Sequence, residues 1–402
     1  MSNPHDAFGL YVHIPFCEKK CPYCDFNTYA GLEQRFASTV DALCREMTLW
    51  APRLAGQPVT SVFIGGGTPT VLDEALLARL LEQIHTSFQL TADCEITSEA
   101  NPGTVDRRKF RLLHDLGVTR ISLGVQSFQP EELRFLGRIH DGDDACRAVD
   151  AARSAGFANI NLDFIFGLPN QRPEAWLATL EQALTLEPEH LSLYSLIVEP
   201  ETPLYHWVQT GRVPAPDEEN AADHYELAMA RLAAAGYRHY EVSNWARDTG
   251  DDAVMPDRAC RHNLVYWRNQ AYLGIGPGAH SHMTLADPAG GQTEQRWGNH
   301  KPVPGYVRRV MAGETVTAFH EVIDPRLSMG ETMMLGLRLV EEGVEQARFQ
   351  QRYGQALEDM FAPELAYLVP AGAVTVDEKR IRLTRRGLMV GNQVFARFLP
   401  SD

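Results

Sequence analysis

Between Gly9 and about Glu199 the sequence alternates short apolar runs, often β-branched, with longer stretches of helical periodicity. This alternation restricts the chain to repeated βα units around a parallel sheet. Six runs carry the strand pattern: Leu10 to Ile14, Ser61 to Ile64, Glu95 to Glu99, Arg120 to Val125, Asn161 to Phe166 and His190 to Leu196. Between them Arg35 to Trp50, Glu74 to Phe88 and Asp143 to Ala155 read as helices, with Leu76, Leu77, Leu80, Leu81 and Ile84 at helical spacing. At 402 residues and 44% hydrophobic content the chain can bury a sizeable core. In a parallel αβ sheet ligands gather at the C-terminal ends of the strands, so the residues just past each run are the first candidates for a site.

Past the first run stands YVHIPFCEKKCPYCDFN, in which Cys17, Cys21 and Cys24 form a CxxxCxxC cluster. Three thiolates this close can hold three corners of an iron-sulfur cube and leave the fourth iron open to a small molecule. A zinc site or a disulfide is the alternative, but structural zinc favours four ligands in paired units, and no second pair follows. Past the second run, GGGTPT at Gly65 to Thr70 offers backbone that a ligand can approach closely, or a plain tight turn. Glu99 ends the third run, Gln126 directly follows the fourth, and Arg138 comes shortly after it in LGRIH. Asp163 is a charge inside the otherwise apolar fifth run, a placement that means structural glue or a site residue.

The cysteine spacing, with its flanks YVHIPFC and CPYCDF, resembles the radical S-adenosylmethionine (SAM) superfamily, and the later motifs follow its coproporphyrinogen dehydrogenase-like branch in order. That resemblance implies an α/β fold, a partial (β/α)6 barrel over residues 1–235. A connecting segment over 236–300 and a C-terminal, mostly helical, winged-helix-like domain over 301–402 complete the expected division. It further implies a 4Fe-4S cluster on Cys17, Cys21 and Cys24 and a SAM site made of Tyr11, Tyr23, Gly66, Gly67, Thr68, Glu99, Gln126, Arg138 and Asp163. The dehydrogenases carry a further cysteine two places after the third, and a long N-terminal arm. Here Phe26 takes that place and only sixteen residues precede Cys17, which resembles the HemW-type heme chaperones.

Those chaperones also carry HNxxYW, present here as His262-Asn263-Leu264-Val265-Tyr266-Trp267. Imidazole is a good axial donor to heme iron, and the aromatic pair could wall a flat macrocycle. By residue type alone a histidine among aromatics is also an ordinary, hydrogen-bonded core residue. Cys260 offers an alternative thiolate, and His280 and His282 of GPGAHSH are further heme-ligand candidates. The resemblance therefore implies a protein that binds heme and a SAM-ligated cluster and passes heme to an acceptor, expected to be a membrane-bound respiratory enzyme. The alternative is a radical enzyme, a coproporphyrinogen III dehydrogenase or a relative acting on a porphyrin-like substrate. Dehydrogenase activity is not expected from the Phe26 variant.

With 52 acidic against 37 basic residues the net charge is -15, which argues against a nucleic-acid partner. The basic group Lys379, Arg380, Arg382, Arg385 and Arg386 reads as a solvated face. MSNPHDAFGL has neither a signal-peptide nor a transit-peptide pattern, and no run of eighteen apolar residues appears. A cytoplasmic protein follows as the expectation, suited to clustered thiols; a homodimer is one option for its assembly. Glu199 to Asp217 reads as a crossing linker and Asp248 to Asp257 as an exposed loop. Cys44, Cys94 and Cys146 read as buried apolar residues.

Overall fold

The computed structural model describes residues 7–248, 250, 253–286 and 290–400, so the N-terminal hexapeptide and part of the acidic 248–257 stretch lie outside the described residues. All six expected strands form: β1 (Gly9–Ile14), β2 (Val59–Gly66), β3 (Leu90–Ala100), β4 (Arg120–Gln126), β5 (Ile160–Phe166) and β6 (His190–Ser195). They pair in parallel and in sequential order. Sequential parallel pairing requires each connection to cross the sheet through a helix. These crossovers include α1 (Phe36–Trp50), α2 (Glu74–Ser87), α3 (Arg107–Asp115), α4 (Pro130–Phe135), α5 (Gly142–Ala155) and α6 (Pro173–Thr185). Asp73, Asp106 and Asp141 cap α2, α3 and α5 by accepting from Leu76, Lys109 and Asp144 N–H groups, which fixes where each helix begins. Gly156, at φ 109°, ends α5 in the left-handed conformation that glycine adopts without strain.

The sheet does not close. Its β6 edge is continued by an antiparallel hairpin, β7 (Tyr237–Glu241) and β8 (Asn244–Arg247). Its β1 edge is continued by β9 (Tyr272–Ile275), parallel to β1, and then by antiparallel β10 (His280–Ala286), β11 (Gln292–Asn299) and β12 (Thr317–Val322). The segment expected as a connection thus contributes strands to a twelve-stranded mixed sheet. The crossing linker contains a helix of its own, α7 (Pro203–Gln209), capped by Thr202, and α8 (Glu218–Ala234) follows it. Two short helices complete the barrel part: α9 (Arg261–Trp267) and α10 (Val303–Ala312).

Buried apolar side chains from Phe8 to Val310 make one core. A second, from Met329 to Phe398, belongs to the C-terminal part. There α11 (Pro325–Gly336) and several shorter helices enclose a small antiparallel sheet of β13 (Val344–Glu345), β14 (Val374–Val376) and β15 (Arg380–Leu383), with β15 in the middle. Arg338 with Glu241 at 2.8 Å and Arg268 with Glu342 at 2.6 Å tie this part to the sheet. Three of the basic residues near the C-terminus are engaged within the fold: Arg382 pairs with Asp377, Arg385 with Glu226, and Arg380 donates to the Glu342 carbonyl. Cys44 and Cys94 are buried as expected, whereas Cys146 is only half-buried on α5. No described helix is long and apolar enough to cross a membrane.

Candidate functional site

The cysteine loop leaves β1 at Ile14 and is pinned at both ends. Cys17 N–H donates to the Tyr29 carbonyl at 3.0 Å, and Cys24 N–H to the Cys21 carbonyl at 3.2 Å. All three thiols are half-buried and lie close enough for the charge of one to raise another. Burial, ahead of these neighbours, pushes the Cys17 and Cys24 thiols up, a cost that a bound cation removes. Among the described residues no three His, Cys, Asp or Glu side chains converge on one ion. Thiols serving separate corners of a cube have no need to converge on one point. Thr68 Oγ1 donates to Cys17 Sγ at 3.6 Å and Arg138 Nη1 to Cys21 Sγ at 3.5 Å, so two sulfurs already face hydrogen-bond donors.

The glycines past β2 are required by packing. A Cβ on Gly65 would stand 2.5 Å from Glu99 Oε2, one on Gly66 2.2 Å from His13 Nδ1, and one on Gly67 2.4 Å from the Phe16 carbonyl. The N–H groups of Gly66, Gly67 and Thr68 are spent within the fold rather than offered to a ligand. Gly66 N–H donates to Glu99 Oε2, Gly67 N–H to the Ile14 carbonyl and Thr68 N–H to the Phe16 carbonyl, at 2.7–2.8 Å. What a segment with its amides spent can still offer is carbonyl oxygen, the acceptor an ammonium group needs.

Around this segment the other expected residues gather. Tyr11 donates or accepts at His13 Nδ1 over 2.8 Å, and its phenol is pushed up by burial and then by the Glu99 charge. Glu99 is pushed up to about 8 by burial and next by Asp163. Asp163, also raised by burial, accepts from Ser122 Oγ and Asn161 Nδ2 at 2.9 Å each. Neither carboxylate forms an ion pair among the described residues, so two half-buried acids await a cationic or hydroxyl-bearing group. Gln126 sits at a bulge against β5 with φ 69°, a conformation costly for a side-chain-bearing residue and held here by its surroundings. Gly124 makes room for it: a Cβ there would meet Gln126 Nε2 at 3.0 Å and Arg138 Nη2 at 3.2 Å. Arg138 donates to the Gly124 carbonyl at 2.7 Å and lies beside Tyr23, while its buried Nε has no partner. Three thiols, two half-buried acids without an ion pair, and an arginine with a spare N–H fit a cluster together with an amino-acid-bearing nucleoside cofactor. Sequence reasoning misses Tyr194 at the end of β6. Its ring is exposed within reach of the Asp163 charge, and its place at the end of the sixth strand is the signal that could have found it.

His262 lies elsewhere, at the opposite end of the strands. Its Nδ1 shares a hydrogen bond with Ser61 Oγ at 3.0 Å, its Nε2 one with Tyr266 OH at 2.9 Å, and its ring stacks on Phe63. Burial pushes it down to about 3, so it is neutral with both nitrogens engaged. Trp267 is covered by the Arg338 guanidinium at 4.4 Å and Tyr266 abuts Tyr272, which leaves neither ring bare. The start of α9 is held by Glu95, whose Oε1 accepts from Arg261 N–H at 2.8 Å and from His262 N–H at 3.4 Å. Cys260, pushed up to about 12 by burial, stays a thiol and points at the same oxygen. In this arrangement α9 is the floor of the partial barrel. His282 is likewise engaged at both nitrogens, by the Gln270 carbonyl and Glu294, whereas His280 is exposed.

The chain matches the Radical SAM superfamily over residues 11–183 and the HemN C-terminal domain over residues 323–390. It is 38% identical to the heme chaperone HemW of Bacillus subtilis, over 97% of this chain and 99% of that one. With the heme chaperone HemW of Escherichia coli it shares 37% identity over 97% and 98% of the two chains. A mouse mitochondrial protein, radical S-adenosyl methionine domain-containing protein 1, is 35% identical over 98% of this chain and 87% of its own. Among solved structures, the coproporphyrinogen III oxidase HemN of Escherichia coli superimposes with a TM-score of 0.80 at 27% identity, over 98% of this chain and 91% of that one. Identity at this level along the whole length, with Phe26 in place of the additional cysteine, decides between the two branches: the chain belongs to the HemW family of heme chaperones, within the radical SAM superfamily.

Proposed function

We propose that this protein is a heme chaperone, binding heme alongside a SAM-ligated 4Fe-4S cluster and handing the heme to an acceptor protein. The observation that carries the reading is its full-length similarity to heme chaperones HemW from distant bacteria. Cys17, Cys21 and Cys24 hold the cluster. Tyr11, Tyr23, Gly66, Gly67, Thr68, Glu99, Gln126, Arg138 and Asp163 line the SAM site. The chemistry the cluster supplies when loaded is an open iron for the amino and carboxylate groups of SAM. The chain's own residues would do the rest: Thr68 and Arg138 steady two sulfurs, Glu99 and Asp163 would accept from the polar groups of the nucleoside, and the carbonyls past β2 would accept from the N–H groups of its amine. Ligation of heme by His262 requires α9 to leave Ser61 and Glu95, which makes it the part of the site that depends on a movement. The acceptor is a membrane-bound respiratory enzyme, the compartment the cytoplasm, and nucleic acid is not a partner.

One observation favours a second reading, a radical enzyme acting on a porphyrin-like substrate: the likeness to coproporphyrinogen III oxidase comes with unpaired carboxylates in the pocket. Two measurements on one anaerobic preparation separate the two. Heme titration should give a saturable Soret band, and incubation with coproporphyrinogen III, SAM and a strong reductant should give no protoporphyrinogen. Multiple turnovers without heme binding would replace the first reading by the second.

A further inference from the structure

We propose that heme docks on a strip of the sheet face running from β1 to β12, with His280 as an axial ligand; this locates the site for the chaperone reading and rests on it. Residues directly paired across strands share a face. Tyr11 pairs with Gly274, His280 with Gly298, and Gly298 with Phe319. Since Tyr272 pairs with His282, antiparallel register sets Gly274 opposite His280, and a Cβ on Gly274 would indeed touch the His280 carbonyl. The row therefore reads Tyr11, Gly274, His280, Gly298, Phe319, and it begins at a residue of the cofactor pocket.

Two of these five positions have no side chain. The Phe319 ring uses the space over Gly298, where a Cβ would stand 2.4 Å from its Cε1, and it lies 5.2 Å from the His280 ring. Phe319 is 42% exposed on an edge strand, an unusual place for a bare phenyl ring and a suitable one for stacking on a macrocycle. His280 is exposed, and neither of its nitrogens is hydrogen-bonded among the described residues. His13, His262 and His282 on the neighbouring strands and helix spend both of theirs. Partial burial, then Lys301 and Arg296, lower the His280 pKa below the ordinary 6.5, which keeps the ring in the neutral form that binds iron. Lys301 is exposed and in no ion pair among the described residues, and its carbonyl accepts from Asn27 of the cysteine loop at 3.0 Å. It stands where a propionate of a heme on His280 can reach it. Heme held here lies beside the SAM pocket, open to an acceptor, and needs no displacement of α9.

The test is a hemin titration of full-length protein with its cluster reconstituted, read by Soret position and isotherm, for wild type and the His280→Ala, Phe319→Ala and His262→Ala variants. His280→Ala should weaken binding by at least roughly tenfold and move the Soret band, since removing even an outer partner of a metal ligand costs that much. His280→Gly with added imidazole should recover the wild-type band, and Phe319→Ala should weaken binding without moving it. Iron content and circular dichroism report that each variant is folded. Identical spectra and isotherms for His280→Ala and wild type, or loss of ligation in His262→Ala alone, overturn the site and leave the chaperone reading standing. A wild type that binds no heme overturns the chaperone reading itself.

Discussion

The two ends of the partial barrel are built from the same strands and treat polar groups in opposite ways. At the C-terminal ends, Glu99 and Asp163 are half-buried and form no ion pair among the described residues, Arg138 keeps an unpartnered Nε, and Gln126 holds a costly backbone conformation. At the N-terminal ends the polar groups answer each other. His190 bonds Asn161 Oδ1 at 2.6 Å and Tyr240 OH at 2.8 Å, and the same hydroxyl accepts from Cys260 N–H at 3.1 Å. Ser192 joins Asn161 to Asn244, Glu241 joins Asn244 to Arg338, and Glu95 holds the start of α9. The exception is Arg120, a buried guanidinium whose Nε has no partner and which forms no ion pair among the described residues. Unmet polar groups cost stability and are kept where a ligand will meet them, while a matched network makes a unique, rigid floor. The comparison assigns binding to one end and construction to the other, even though the most conspicuous histidine motif belongs to the second.

The largest effect expected from breaking the upper end is all-or-none. The triple variant Cys17→Ala, Cys21→Ala, Cys24→Ala should retain no cubane iron or sulfide after reconstitution, whereas Ser at Cys44, Cys94 and Cys146 should retain all of it. Full iron in the triple variant places the cluster elsewhere. The floor should answer in stability instead. Glu95→Ala takes from α9 its N-terminal acceptor and from the buried Arg120 a nearby negative charge, and leaving buried donors unmet costs about 1 to 3 kcal/mol. A denaturation midpoint that does not move would show that the floor carries no such strain.

Smaller, and of opposite sign for stability, is the effect at Glu99. Losing a hydrogen bond to a charged cofactor group costs about 1.5 to 3 kcal/mol, so Glu99→Gln should weaken SAM binding to cluster-loaded protein roughly ten- to a hundred-fold. In the cofactor-free protein a carboxyl that titrates near 8 keeps its proton where the unfolded one, at the ordinary 4.5, has lost it. The folded state then binds more protons, and stability falls as pH rises from about 4.5 to 8. Glu46, raised by burial to about 7 and held by Tyr306, Gly276 and Asn299, adds a slope of the same sign that ends sooner. Glu99→Gln should therefore gain on wild type across this window. A stability difference that does not depend on pH would mean that Glu99 is ionised in the fold.

Most of the upper end is legible in the sequence because its residues stand at fixed places, one just past each strand, and the strands themselves announce their buried faces by apolar runs. The added strands are not, and their burial explains it: Thr317–Val322 is exposed or half-exposed throughout, and His280–Ala286 carries exposed residues at both ends. A strand on a solvated edge has no apolar period to read. The floor is invisible for another reason. Arg120, His190 and Asn161 look like isolated polar residues in apolar strands, and their partners at Tyr240, Asn244 and Cys260 lie tens to over a hundred residues away. His262 shows the same limit in reverse, since its motif suggests a ligand and only the hydroxyls of Ser61 and Tyr266 reveal that both nitrogens are spent.

The smallest expected effect sharpens the comparison most. Ser61 stands on β2 five residues before Gly66, so a single strand carries a floor contact and a cofactor contact. Ser61→Ala takes away the partner of His262 Nδ1 and changes nothing else at that spot, for a net loss of about 1 kcal/mol. If the ends are separate, SAM affinity and iron content stay at wild-type values. The stability changes of Ser61→Ala, a loss, and Glu99→Gln, a gain, should then add in the double variant to within about 0.5 kcal/mol, as unlinked sites do. Coupling beyond that, or a change in SAM affinity in Ser61→Ala alone, would mean that β2 transmits strain from α9 to the glycines past its end. The floor would then be a lever on the cofactor site, and movement of α9 would become the natural place to look for control of heme release.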